Sequence, residues 1–125
     1  MSDKIKVLLI DDDDAVVAYL VAKLSRLYEL VSTVDPREAV ALARAEQPDV
    51  ILCDIDMPEM GGGDVTAALA EDPETAQIPV IYLTALVSPQ ETRDLQGTVG
   101  GRPGVSKRAP LSELVAVVDA ATRRG

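Results

Sequence analysis

Four consecutive aspartates, Asp11 to Asp14, follow the apolar run "KVLLI" at Lys6–Ile10. A further acid, Asp54, ends the apolar run "VILC" at Val50–Cys53, and Asp56 lies two places on. Part of this acidity has an ordinary structural use. Asp13 and Asp14 suit the start of a helix, where one carboxylate caps free N–H groups and another meets the positive end of the dipole. Asp11 and Asp12 come before that helix begins and are not explained by it. If the two strands are neighbours, Asp11, Asp12 and Asp54 converge on one small pocket. Like charges so close are unfavourable unless a cation neutralises them or one is protonated. A hard divalent ion with oxygen ligands is the natural answer, and Mg²⁺ suits a few carboxylates plus water. Such sites usually share the ion with phosphoryl oxygens, so phosphate chemistry is expected. Thr84 ends the run "PVIYLT" and could donate a hydroxyl to a phosphoryl oxygen, and Lys107 follows "RPGVS" as a point charge for phosphate. Separately, a threonine at a strand end and a surface lysine are commonplace; the order and placement together carry the signal.

The elements that must hold these residues alternate. Strands are predicted at Lys6–Ile10, at Glu29–Thr33 as a weaker edge strand, at Val50–Cys53, at Val80–Leu83, and before Lys107. Helical spacing of Val17, Leu20, Val21, Leu24 and Leu27 predicts a helix over Asp14–Leu27. Asp35-Pro36 opens a second helix to about Glu46, with Ala39, Val40 and Leu42 available for the core. "GGG" at 61–63 marks a turn before a short helix, Asp64–Ala70, and Ser88-Pro89 starts a polar helix through Gln96. Pro110–Arg123 is the last helix, with Leu111, Leu114, Val115 and Val118 on one face, and Gly97–Gly104 reads as a loose loop. Strands that are apolar throughout belong to a parallel sheet covered on both faces. Repeating strand–helix order implies a doubly wound α/β domain with right-handed crossovers. Ligands bind such folds beyond the carboxyl ends of the strands, where strand order switches, and the acids, Thr84 and Lys107 all fall there.

The bulk properties narrow the function. The 125 residues make one domain, with 47% hydrophobic and 26% charged residues. A net charge of -9 repels a phosphate backbone, and 2% aromatic content leaves no stacking platforms, so nucleic acid is not an expected partner. The absence of histidine and the single cysteine, Cys53, argue against zinc and exclude an internal disulfide; Cys53 reads as core. No signal peptide or membrane-length apolar stretch is seen, which fits a soluble, cytoplasmic protein.

The segments "LLIDDDD", "PDVILCDIDMPEMGG", "IPVIYLTA" and the lone Lys107 before an amphipathic helix resemble the receiver domain of two-component response regulators, over nearly the whole chain. The spacing acid, two residues, Met-Pro, one residue, Met, Gly is the most specific part. The resemblance implies one receiver domain over residues 1–125, a five-stranded parallel sheet of flavodoxin-like order 2-1-3-4-5, and helices on both faces. It implies that Asp54 accepts a phosphoryl group from a histidine kinase or histidine phosphotransfer protein. Asp12 and Asp54 would ligate Mg²⁺ (or Mn²⁺) directly, Asp11 largely through water, and Asp56 through its backbone carbonyl. Thr84 and Lys107 would sense and hold the phosphoryl group. The chemistry is in-line transfer to a carboxylate, with self-dephosphorylation but no enzymatic turnover of other substrates, and output through an unknown downstream protein. Three positions depart from the family pattern: Arg108 replaces the proline that usually follows the lysine, Gly104 replaces a switching aromatic residue, and Asp56 adds an acid. Two other readings use the same residues. One is a degenerate receiver acting as a constitutive interaction module; the other is a haloacid-dehalogenase-type phosphatase, whose acid–any–acid fragment "LCDIDMP" matches.

Overall fold

The computed structural model describes residues 4–55, 57–58, 60–84, 98–99 and 102–122. Its strands are β1 (Lys6–Ile10), β2 (Glu29–Thr33), β3 (Val50–Asp54), β4 (Val80–Thr84), β5 (Thr98–Val99) and β6 (Arg102–Ser106). The helices are α1 (Asp14–Leu24), α2 (Ala39–Glu46, entered by a 3₁₀ turn over Pro36–Glu38), α3 (Gly62–Glu71) and α4 (Leu111–Thr122). The sheet order is β2-β1-β3-β4-β6-β5. All pairings are parallel except β5 with β6, so the five parallel strands follow the expected 2-1-3-4-5 order with β6 as the fifth.

Successive strand residues point to opposite faces, and here both faces are covered. Val7, Leu9, Leu52, Ile81, Leu83 and Val105 pack with Leu20 and Leu24 of α1 and Leu114 and Val118 of α4. Leu8, Ile10, Ile51, Cys53 and Tyr82 pack with Ala39 and Ala43 of α2 and Val65 and Leu69 of α3. Every residue of β3 and β4 is buried, which is why those stretches lack polar–apolar alternation. Cys53 is fully buried, and desolvation, followed by the Asp54 and Asp11 charges, pushes its thiol to about 12. It is a packing residue, as its apolar neighbours imply.

Several local expectations change. Helix α1 stops at Leu24, so Leu27 leaves the helical phase and is 46% exposed; Tyr28, at 4%, takes the core position instead. The Leu27 and Tyr28 N–H groups both donate to the Leu24 carbonyl in the turn that ends the helix. Leu111 is the first residue of α4 and is 37% exposed rather than part of its buried face. Gly62 and Gly63 belong to the first turn of α3 rather than to the turn before it. The glycine-rich stretch after residue 97 is not wholly a loop, because Thr98–Val99 pairs antiparallel with Arg102–Pro103. β4 pairs with β6 only from Gly104 onward, so Pro103 takes no place in the parallel ladder. The helix expected over Ser88–Gln96 lies outside the described residues.

Candidate functional site

The carboxyl ends of β1, β3, β4 and β6 meet along one edge of the sheet. β1 lies beside β2 and β3, and the connection leaving β1 (α1) and the one leaving its neighbour β3 (α3) cross opposite faces of the sheet. That is the switch point at which an open parallel sheet leaves a crevice. β1 and β3 are hydrogen-bonded neighbours in register Ile10↔Cys53, so the next residues, Asp11 and Asp54, stand side by side. Asp11 is fully buried and Asp54 is 3% exposed, whereas Asp12 faces solvent. Carboxylate oxygens of Asp11, Asp12 and Asp54 all lie within 4.8 Å of one another.

The remaining aspartates do what helix starts require. Asp13 caps α1, its Oδ1 accepting the Ala15 N–H at 2.9 Å and the Val16 N–H at 3.4 Å, and Asp14 lies in the first turn. Asp11 Oδ1 accepts the Asp13 N–H at 3.0 Å, which fixes the direction of its carboxylate. The capping and cluster roles therefore separate by residue. Asp13→Ala should cost about 1 kcal/mol of stability, as loss of an N-cap does, and leave Mg²⁺ affinity unchanged. Asp12→Ala should leave urea stability in EDTA within about 0.5 kcal/mol of the parent and weaken Mg²⁺ binding. Urea melts with calorimetric Mg²⁺ titrations check both.

Lys107 enters the cluster from the far side. Its Nζ is 2.7 Å from Asp11 Oδ2 and 3.2 Å from Asp54 Oδ1, with the side chain 14% exposed. Burial works against its charge, but the Asp11 and Asp54 carboxylates outweigh it and hold its pKa above the ordinary lysine value. Asp11 Oδ2 is buried with no well-aligned hydrogen bond, so its charge is answered by this ammonium alone among the described residues. The Lys107 N–H donates to the Thr84 carbonyl at 2.9 Å, tying the lysine to the end of β4. Thr84 is buried and lies one place beyond the Asp54↔Leu83 pair. Asp11, Asp12, Asp54, Thr84 and Lys107 are thus brought to one edge; Asp56 lies outside the described residues.

The donor set fits Mg²⁺: three carboxylates each offering a hard oxygen, with Asp12 facing solvent so that water can complete a hydration shell. The sequence has no histidine, and its single cysteine, Cys53, is a neutral buried thiol, so no imidazole or thiolate competes for the ion.

Three contributors were not legible as such. Gly62 begins α3 so close to β3 that a Cβ there would lie 2.8 Å from the Asp54 carbonyl oxygen and 2.9 Å from Ile55 Cα. Its N–H donates to the Ile55 carbonyl at 2.8 Å. Ser106 accepts the Arg108 N–H on its side-chain oxygen at 3.1 Å. Serine is a known turn former and stands immediately before the Lys107–Arg108 turn, but its type alone does not show which N–H it receives. Tyr82 faces Gly104 across β4 and β6, and cross-strand partners share a sheet face. The aromatic ring on this face therefore comes from β4, and the Tyr82 hydroxyl is 3.0 Å from Thr66 Oγ1 on α3.

Comparison with known proteins agrees with this geometry. A family model described as the response regulator receiver domain matches residues 7–119. The response regulator PleD of Caulobacter vibrioides is 45% identical over 82 residues, covering 65% of this chain but only 18% of PleD. The protein PilH of Pseudomonas aeruginosa is 34% identical over 117 residues, covering 92% of this chain and 95% of PilH. Among solved structures, the chemotaxis protein CheY4 of Vibrio cholerae superposes with a TM-score of 0.78 at 27% identity, over 94% of this chain and 98% of that one.

Proposed function

Because the chain belongs to the response regulator receiver domain family, we propose that it is a Mg²⁺-dependent phosphoacceptor whose nucleophile is Asp54. The observation that carries this reading is the Asp11–Asp12–Asp54 cluster with Lys107 against two of its members. Family membership places the chain in two-component signalling. The donor we infer is a phosphohistidine on a histidine kinase or phosphotransfer protein. An Asp54 carboxylate oxygen attacks phosphorus, the N–P bond breaks, and its electron pair returns to the imidazole. The product is an acyl phosphate that water later hydrolyses.

Each side chain has a part in this scheme. Asp12 and Asp54 would hold the metal directly, Asp11 largely through water, and the backbone carbonyl of Asp56 would be the further protein ligand. Bound there, Mg²⁺ supplies positive charge for the phosphoryl oxygens. Lys107 transfers part of its pairing from Asp54 to the new phosphoryl group, and the Thr84 hydroxyl donates to another of its oxygens. Output follows if phosphorylation shifts the population of surface arrangements that a downstream protein recognises. Gly104 removes the β6 aromatic residue from that process, which favours a second reading, a constitutive interaction module on the same fold. No helix among the described residues is long and apolar enough to cross a membrane. We place the protein in the cytoplasm, with its kinase.

Intact-mass spectrometry after incubation with acetyl phosphate tests the reading. One phosphoryl adduct is expected in Mg²⁺, none in EDTA, and none in Asp54→Ala. A folded wild type that forms no adduct and binds no Mg²⁺ would select the interaction module.

A further inference from the structure

The backbone that carries Lys107 is held by a set of contacts centred on one buried hydroxyl. Ser106, the last residue of β6, is 1% exposed and pairs with Thr84 on β4. Its Oγ accepts the Arg108 N–H at 3.1 Å, and its carbonyl accepts the Ala109 N–H at 3.0 Å. With the Lys107 N–H on the Thr84 carbonyl at 2.9 Å, all three N–H groups from 107 to 109 are satisfied within the fold. From outside, Lys23 of α1 donates its Nζ to the Ala109 carbonyl at 3.2 Å. That ammonium is itself held by the Tyr19 hydroxyl at 2.8 Å and lies 4.9 Å from the centre of the Tyr19 ring.

We propose that Ser106 is a positioning residue for Lys107: its hydroxyl closes the turn at Arg108 and thereby aims the ammonium between Asp11 and Asp54. The inference rests on the phosphoacceptor reading above and deepens it. The physical need is clear from the lysine itself. Its four-carbon stem has many rotamers, and a point charge can serve two carboxylates only if its Cα is fixed. A residue with a backbone N–H stands at 108, and the turn uses that N–H as its clasp. The Ser106 oxygen is the group that receives it. Remove that oxygen, and the exposed Arg108 N–H turns to water, the turn loosens, and Lys107 spends less time on the acids.

The consequence is measurable without any phosphorylation. Lys107 and Mg²⁺ draw on the same carboxylates, so a loosened lysine should strengthen Mg²⁺ binding. Four proteins are compared by calorimetric titration with MgCl₂: wild type, Ser106→Ala, Lys107→Met and the double variant. Amide hydrogen exchange by NMR follows Arg108 in the wild type and Ser106→Ala. Ser106→Ala should bind Mg²⁺ about threefold tighter, and its Arg108 amide should exchange about fivefold faster, the effect of one net hydrogen bond. In the Lys107→Met background the serine substitution should change Mg²⁺ affinity no further, because the group it acts through is gone. An effect that persists there overturns the proposal, since the serine then acts on the pocket directly. Unchanged Arg108 exchange also overturns it. If the wild type binds no Mg²⁺ and takes no phosphoryl group, the Asp54 reading fails; Arg108 exchange then decides the turn on its own, unchanged exchange refuting the clasp and faster exchange upholding it.

Discussion

Gly62→Ala is expected to destabilise the protein by about 2 kcal/mol, while the same change one residue later is neutral or stabilising by about 0.5 kcal/mol. Both glycines lie in the first turn of α3, so helix propensity alone favours alanine at each. Sterics separate them. A Cβ on Gly62 would lie 2.8 Å from the Asp54 carbonyl oxygen, 2.9 Å from Ile55 Cα and 3.3 Å from Tyr82 Cε1, and two of these are backbone atoms that cannot step aside. A Cβ on Gly63 meets nothing within 4 Å. To admit the methyl group at 62, α3 must lift from the end of β3, moving the carbonyl of the residue proposed to be phosphorylated. Gly62→Ala should therefore lose phosphoryl uptake beyond what its urea midpoint accounts for under conditions where it is still folded. Equal stability changes at 62 and 63 would show that the approach of α3 to β3 is not a constraint.

Lys107→Met should lower stability in EDTA by roughly 2 kcal/mol and raise Mg²⁺ affinity about tenfold. The stability change falls below that for a fully buried pair because the ammonium keeps 14% exposure and so some hydration. Without it, the fully buried Asp11 and nearly buried Asp54 lose the ammonium that pairs with both. The metal then supplies the compensating charge that the ammonium gave, and it no longer shares the pocket with that like charge. Urea melts in EDTA and at a fixed Mg²⁺ concentration should diverge more for Lys107→Met than for wild type, since tighter binding to the native state alone adds stability. If the two proteins gain equally from Mg²⁺, the lysine and the metal do not compete, and the ion pairs are not part of the site's charge balance.

The local pattern carried most of what positions the site. Apolar runs of strand length, broken by proline, aspartate and glycine, predicted the first four parallel strands almost to the residue, whereas the fifth was placed only by its position before Lys107. The aspartates at the ends of β1 and β3 could be read as one cluster since strand order and direction put consecutive carboxyl ends together. The four aspartates were legible in pairs, Asp13 and Asp14 for the helix start and Asp11 and Asp12 for the site; that Asp13 caps and Asp11 turns inward came from the fold.

What local pattern could not carry depends on atoms distant in sequence. Leu27 continues the apolar spacing of α1, yet the helix ends at Leu24 and Tyr28 fills the core, a choice that the spacing does not carry. "GGG" looks like three equivalent turn residues, and only the approach of α3 to β3 singles out Gly62. Likewise, "SKR" does not reveal that the Ser106 hydroxyl holds the Arg108 N–H, because that bond requires the conformation of the turn itself. The residue types and their order determined a carboxylate pocket at the end of a parallel sheet. The tertiary structure decided which oxygen faces Lys107, which glycine cannot change and what holds the lysine, since distances of 2.7 to 3.2 Å between residues such as Asp11, Asp54 and Lys107 arise only when the strands pair.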